Sequence, residues 1–82
     1  ACYSHACYTS LNQQSVCDGT ATINTLHSNC STIAAGCKVY SDSSCTTPLN
    51  VGRFLLPTSQ YPSINSYVVI DSDGTVATSK CS

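Results

Sequence analysis

Seven cysteines, at positions 2, 7, 17, 30, 37, 45 and 81, fall within 82 residues. In so short a chain, that density marks a disulfide scaffold of the kind found in secreted proteins. The reason is size. A small domain buries a small fraction of its surface, and Val, Leu, Ile and Phe supply only 16 candidate core residues here. About three disulfides, each contributing on the order of 2–4 kcal/mol, offset that shortfall. An odd count leaves one cysteine over. Choosing it and pairing the other six allows 105 arrangements, so spacing alone does not give connectivity. Three placements are nonetheless expected. Cys81, next to the last residue, is suited to stapling the final strand to an earlier one. Cys30 and Cys37 flank a short segment and are suited to closing it. The leftover is expected in a loose N-terminal segment, at Cys2 or Cys7. It is either unpaired or joined to a second copy in a disulfide-linked homodimer.

The remaining composition agrees with a secreted, extracellular chain of one domain spanning residues 1–82. Ser and Thr together supply 24 residues and charged residues only 9%, so the surface is solvated by hydroxyls and amides. The chain begins at Ala1, as a cleaved precursor would. Asn29-Cys30-Ser31 is a glycosylation sequon. Net charge is −1 with no basic run, which argues against nucleic acid as a partner. No aliphatic run is longer than Val68-Val69-Ile70, so neither a membrane span nor a membrane-surface segment is expected.

Helical signals are poor. Glu is absent, Lys and Arg are scarce, and β-branched residues are common. Strand signals are better. Asp18-Gly19 between Gln13–Cys17 and Thr20–Asn24 predicts a hairpin with a type I′ turn. Asp71-Ser72-Asp73-Gly74 between Ser66–Ile70 and Thr75–Lys80 predicts another, with Gly74 as the left-handed residue. Further strands are expected over 36–41 and 51–55, with Pro48, Pro57 and Pro62 confining the latter. The one expected helical turn is Ser31-Thr32-Ile33-Ala34-Ala35, capped by Ser31 and ended by Gly36. Together these predict an all-β fold. It is a small antiparallel barrel or sandwich stapled by about three disulfides, with at most one short helical turn.

Each candidate for chemistry has a plainer structural role beside it. Cys2, His5 and Cys7 sit close enough in sequence to ligate zinc, but a fourth donor must come from elsewhere and extracellular thiols are oxidised. No metal or cofactor is expected. His5 and His27 with Lys38 or Arg53 would form the acid, base and phosphate cation of a small ribonuclease. Surface histidines explain the same residues. The four aspartates, 18, 42, 71 and 73, sit in or beside turns, where an Asx side chain satisfies backbone donors. A calcium site at Asp71–Gly74 lacks a bidentate acid. No G-x-S-x-G or Gly-rich phosphate loop occurs. The chain is therefore not expected to be an enzyme. One segment, Pro57-Thr58-Ser59-Gln60-Tyr61-Pro62, is a candidate binding loop, because two prolines would stiffen it for insertion into a target.

Gly36-Cys37-Lys38-Val39-Tyr40-Ser41-Asp42-Ser43-Ser44-Cys45, with the later Pro62–Val69, resembles a Greek-key unit of the βγ-crystallin type over residues 36–71. Taken whole, the chain is similar in cysteine density, Ser/Thr/Asn/Tyr-rich surface and phrases such as VYSDSSC to small secreted cysteine-rich proteins of filamentous fungi. That group includes effectors and elicitors, killer-toxin-like proteins and the barrel-forming Alternaria major allergen family. The resemblance implies a non-catalytic apoplastic protein that binds a host protein or cell-wall component. The readings set beside it are a protease inhibitor or killer-toxin-like antimicrobial protein, and the small secreted ribonuclease.

Overall fold

A computed structural model describes residues 1–81. Six antiparallel strands form one curled sheet: β1 (Tyr3–Ser10), β2 (Thr22–Ser28), β3 (Val39–Tyr40), β4 (Phe54–Pro57), β5 (Asn65–Val69) and β6 (Val76–Lys80). Their order is β3-β2-β1-β4-β5-β6. The all-β expectation holds. Strands β1 to β4 have Greek-key order, since β4 returns to lie beside β1 rather than beside β3. This Greek key spans residues 3–57. No helix among the described residues is long and apolar enough to cross a membrane.

The sheet curls until its two edges meet. Gly36 N donates to Val76 O (2.8 Å), Val76 N to Cys37 O (2.9 Å) and Val39 N to Gly74 O (3.0 Å). Lys38 and Thr75 form an antiparallel bridge between the edge strands. This seam spends backbone groups that an open sheet would leave unpaired. Lys38 Nζ reinforces it, 3.5 Å from Asp73 Oδ2.

The N-terminal segment is not loose. It is β1, a central strand paired with β2 over Tyr3–Thr9 and with β4 over Cys7–Ser10. Alternation puts Cys7 and Thr9 on the inner face, where both are buried. The core joins Cys7, Leu26, Ile33, Cys37, Val39, Leu55, Val69 and Val76. Leu55 and Leu56 are consecutive and both fully buried, because a second layer covers the outer face. That layer is helix α1 (Gln13–Asp18), which packs on β1, β4 and β5 and buries Val16.

Helix α1 replaces the hairpin expected at Asp18-Gly19. Asn12 caps its start, with Oδ1 accepting from Gln14 N at 3.0 Å. Gly19, at φ +72°, ends it: Gly19 N donates to Val16 O (3.3 Å) and Thr20 N to Ser15 O (3.0 Å). That is a Schellman ending, which demands the same left-handed glycine as a hairpin turn. Val16 and its packing surface, rather than propensity, decide between the two.

Conversely, Ser31–Ala35 is not helical. A turn closed by Cys37 N to Ala34 O (3.1 Å) and the Cys30–Cys37 disulfide bend it, so that Ile33 plugs the core. The β5–β6 hairpin forms as expected, with Gly74 N donating to Asp71 O at 3.0 Å. Strand β4 starts three residues later than expected and includes Pro57. The ladder tolerates the proline because β5 pairs only with Phe54 and Leu55. The expected strand over 36–41 contracts to β3 and the bridge at Lys38.

The disulfides are Cys2–Cys45, Cys17–Cys81 and Cys30–Cys37, and Cys7 is the free thiol. The partner of Cys81 lies in α1, not in a strand. Cys7 has no accessible surface, and burial pushes its thiol up to about 12. A covalent homodimer through an exposed Cys2 or Cys7 therefore has no thiol to use: Cys2 is bonded and Cys7 is enclosed.

Candidate ligand-binding cleft

The connection from β3 to β4 builds one side of a cleft. Asn50-Val51-Gly52-Arg53 is a tight turn, with Arg53 N donating to Asn50 O at 3.3 Å and Gly52 at φ +87°. Glycine at the third position of such a turn supplies the positive φ that a type II geometry needs. Gly52 N also donates to Val69 O (2.9 Å), and Arg53 O accepts from Val69 N (3.1 Å), so the turn is fixed to the sheet. A consequence is that Asn50 and Arg53, first and last in the turn, stand side by side.

Strands β1 and β2 build the other side. Asn24 pairs in register with inward-facing Cys7, so Asn24 and Leu26 point to the mouth and interior of the curled sheet. Asn24 Nδ2 donates to Thr9 Oγ1 at 2.7 Å, which fixes the amide and leaves its Oδ1 free to accept. The space enclosed is about 290 Å³ and opens to solvent past Thr25, Ser41 and Asn50. Leu26 and Leu49 give it an apolar floor.

Of the described residues that line this cleft, Arg53 alone is charged. Among the described residues it makes no ion pair, while the Lys38 ammonium is engaged by Asp73. Asp42 follows Ser41 but turns its carboxylate away. Its Oδ1 accepts from Thr46 N and Thr47 N, both at 2.9 Å, and its Oδ2 from Thr46 Oγ1. The Thr46 hydroxyl, then the Thr47 amide, lower the Asp42 carboxyl to about 2. Because the folded carboxyl titrates below an unfolded aspartate, its stabilisation is present above pH ~4 and is lost as pH falls toward 2. Asp42→Asn is expected to flatten the fall of Tm across that window, leaving a smaller slope from Asp73, whose pKa is lowered by the Thr75 hydroxyl and backbone amide and, more weakly, by Lys38. Thermal melts at stepped pH measure both slopes.

The other candidates disperse. Cys2 is oxidised, and His5 Nε2 donates to Cys30 O at 3.2 Å, so Cys2, His5 and Cys7 do not converge on an ion. His5 pairs in register with Leu26 while His27 pairs with Ser4, so the two imidazoles lie on opposite faces of the sheet. They cannot serve one phosphorus atom together. Ser4 Oγ and His27 Nδ1 share an exposed hydrogen bond of 3.1 Å.

In the loop of Pro57, Thr58, Ser59, Gln60, Tyr61 and Pro62, Gln60 and Tyr61 bond to the body of the protein, while Ser59 stays exposed. Thr58–Gln60 is a 3-10 turn. Gln60 Nε2 donates to Ile33 O (3.2 Å), Tyr67 Oη to Gln60 Oε1 (3.0 Å) and Tyr61 Oη to Asp18 O (3.0 Å). The Tyr61 ring meets Tyr8 edge-on, with centroids 5.2 Å apart. These contacts fasten helix and loop to the sheet rather than offering an extended segment.

Of the cleft residues, sequence reasoning singled out only Arg53, and for a different partnership. A local signal exists for one more: Gly52 within Asn50–Arg53 marks a turn that puts the Asn50 amide beside the guanidinium. Comparison with family models, with curated proteins and with solved structures finds no match to this chain.

Proposed function

We propose that this chain is an extracellular binding protein of the effector or elicitor type, which engages a host component through the Arg53 cleft without catalysing a reaction. The observation that carries the reading is the unspent Arg53 guanidinium in an open cleft otherwise lined by neutral hydrogen-bonding side chains and two leucines. Pockets with an apolar floor and a few fixed polar groups are the usual form of ligand sites, and barrel mouths are a usual place for them. Three disulfides support an oxidising, extracellular setting. The plant-host part of the reading is supported by the resemblance to small secreted fungal proteins. The inhibitor reading is less favoured, because the 57–62 loop spends Gln60 and Tyr61 on the body of the protein.

Infiltration of the purified, oxidised protein into leaves is expected to change defence-gene expression relative to buffer. Arg53→Gln is expected to reduce that change severalfold. Unchanged expression with the unsubstituted protein would count against the effector reading, and full activity of Arg53→Gln would count against the cleft.

A further inference from the structure

We infer that the cleft takes a single uronic acid unit, a sugar ring bearing a carboxylate, with the carboxylate on Arg53. This deepens the binding reading above and rests on it. Charge comes first. The cleft contains one cation and no acid, so it favours an anion, and a guanidinium presents paired donors that match a planar carboxylate.

Size and lining then narrow the class. A space of about 290 Å³ far exceeds a lone carboxylate and suits roughly one six-membered ring with its substituents. The other polar lining consists of amides and hydroxyls, which both donate and accept. Sugar hydroxyls do the same, so Asn24 Oδ1, the Asn50 amide and the Ser41 hydroxyl at the rim offer complementary partners. The C–H face of a pyranose needs an apolar surface, and Leu26 and Leu49 supply one. A phosphate or sulfate alone would leave that floor and both amides unused.

The two halves of the site are also pre-organised. Asn24 is held by Thr9, and the Asn50–Arg53 turn is held by Val69. Little ordering is then needed on binding. The open rim allows a polymer to run out of the cleft on either side of the bound unit.

Titration of the 15N-labelled oxidised protein, followed by NMR, tests this. Galacturonate and glucuronate are the two uronate probes, which separate two sources of the unit. Galactose lacks the carboxylate, and acetate lacks the ring. At least one uronate is expected to shift the amide signals of Asn24, Asn50 and Arg53 with saturation on the order of millimolar. Galactose and acetate are each expected to bind about tenfold more weakly or worse. Arg53→Gln is expected to lose about tenfold in uronate affinity, and Arg53→Lys, which keeps the charge without the fork, to lose less. Should Arg53→Gln fail to fold, Arg53→Lys carries the comparison. Galactose binding as tightly as both uronates would overturn the carboxylate assignment and leave cleft binding standing. Acetate matching the uronates would overturn the sugar assignment. Unchanged uronate binding in both Arg53 variants would overturn the role of the guanidinium. If none of the four probes shifts a cleft signal, the uronate inference falls, while the binding reading is decided separately by the infiltration result with Arg53→Gln.

Discussion

Replacing Cys17 and Cys81 together by serine is expected to lower stability by about 4 kcal/mol, a larger loss than from opening the Cys30–Cys37 loop. The two bridges span 64 and 7 residues of sequence, and the chain entropy removed from the unfolded state grows with the logarithm of that span. The shorter loop corresponds to roughly 2–2.5 kcal/mol. Structure adds to the difference. Helix α1 has six residues, too few to persist by itself, and Cys17–Cys81 fastens it next to β6. Without that bond, the layer that carries Val16 and covers Leu56 is held by packing, by the Gln13 amide on Ser66, Ser79 and Lys80, and by Tyr61 on Asp18. Urea denaturation of the two double variants without reductant gives both values. Equal losses would show that loop length does not govern the effect here.

A second large effect is expected at Gly74. A Cβ at this position would lie 2.5 Å from the carbonyl oxygen of Val39, and the backbone sits at φ +86°. The same residue accepts the Val39 N–H that joins the two sheet edges. Gly74→Ala therefore adds a backbone clash to left-handed strain and opens the seam, for a loss on the order of 3 kcal/mol. Gly36→Ala is the internal comparison. It shares a positive φ of +92°, but nothing lies within 4 Å of its Cβ, so only the strain of about 1 kcal/mol applies. Matched urea curves for the two alanine variants separate clash from strain. Similar losses in both would place the cost in φ alone.

What could be read in advance followed from strong local chemistry. The β5–β6 hairpin was legible because alternating β-branched residues flank Asp71–Gly74, and the need for disulfides followed from the small apolar inventory. The central strand was not legible. Tyr3–Ser10 carries a histidine, an alanine, a cysteine and a threonine on or beside its inner face, so its alternation is invisible to hydropathy. Its neighbours β2 and β4, distant in sequence, make it a strand. Asp18-Gly19 marks a left-handed position in the sequence, but glycine at positive φ serves a helix ending and a hairpin alike. Packing of Val16 settles which, and packing is a tertiary property. The cleft was hidden for the same reason. Asn24 and Arg53 meet only because the chain between them runs through β3 and returns to β1.

The enclosure of Cys7 in β1 has a consequence for how the covalent framework endures. Disulfide exchange begins with attack by a thiolate, and a thiol held near 12 supplies only about one thiolate in 10⁵ molecules at pH 7. The sulfur also has no accessible surface from which to reach a neighbouring bond. Seven cysteines would otherwise carry their own catalyst for reshuffling, since any free thiol can pass its vacancy from bridge to bridge. By sealing that thiol at the centre of the sheet, the fold protects its connectivity from within: once β1 is seated between β2 and β4, the chain's own thiol can reach a bridge only after unfolding.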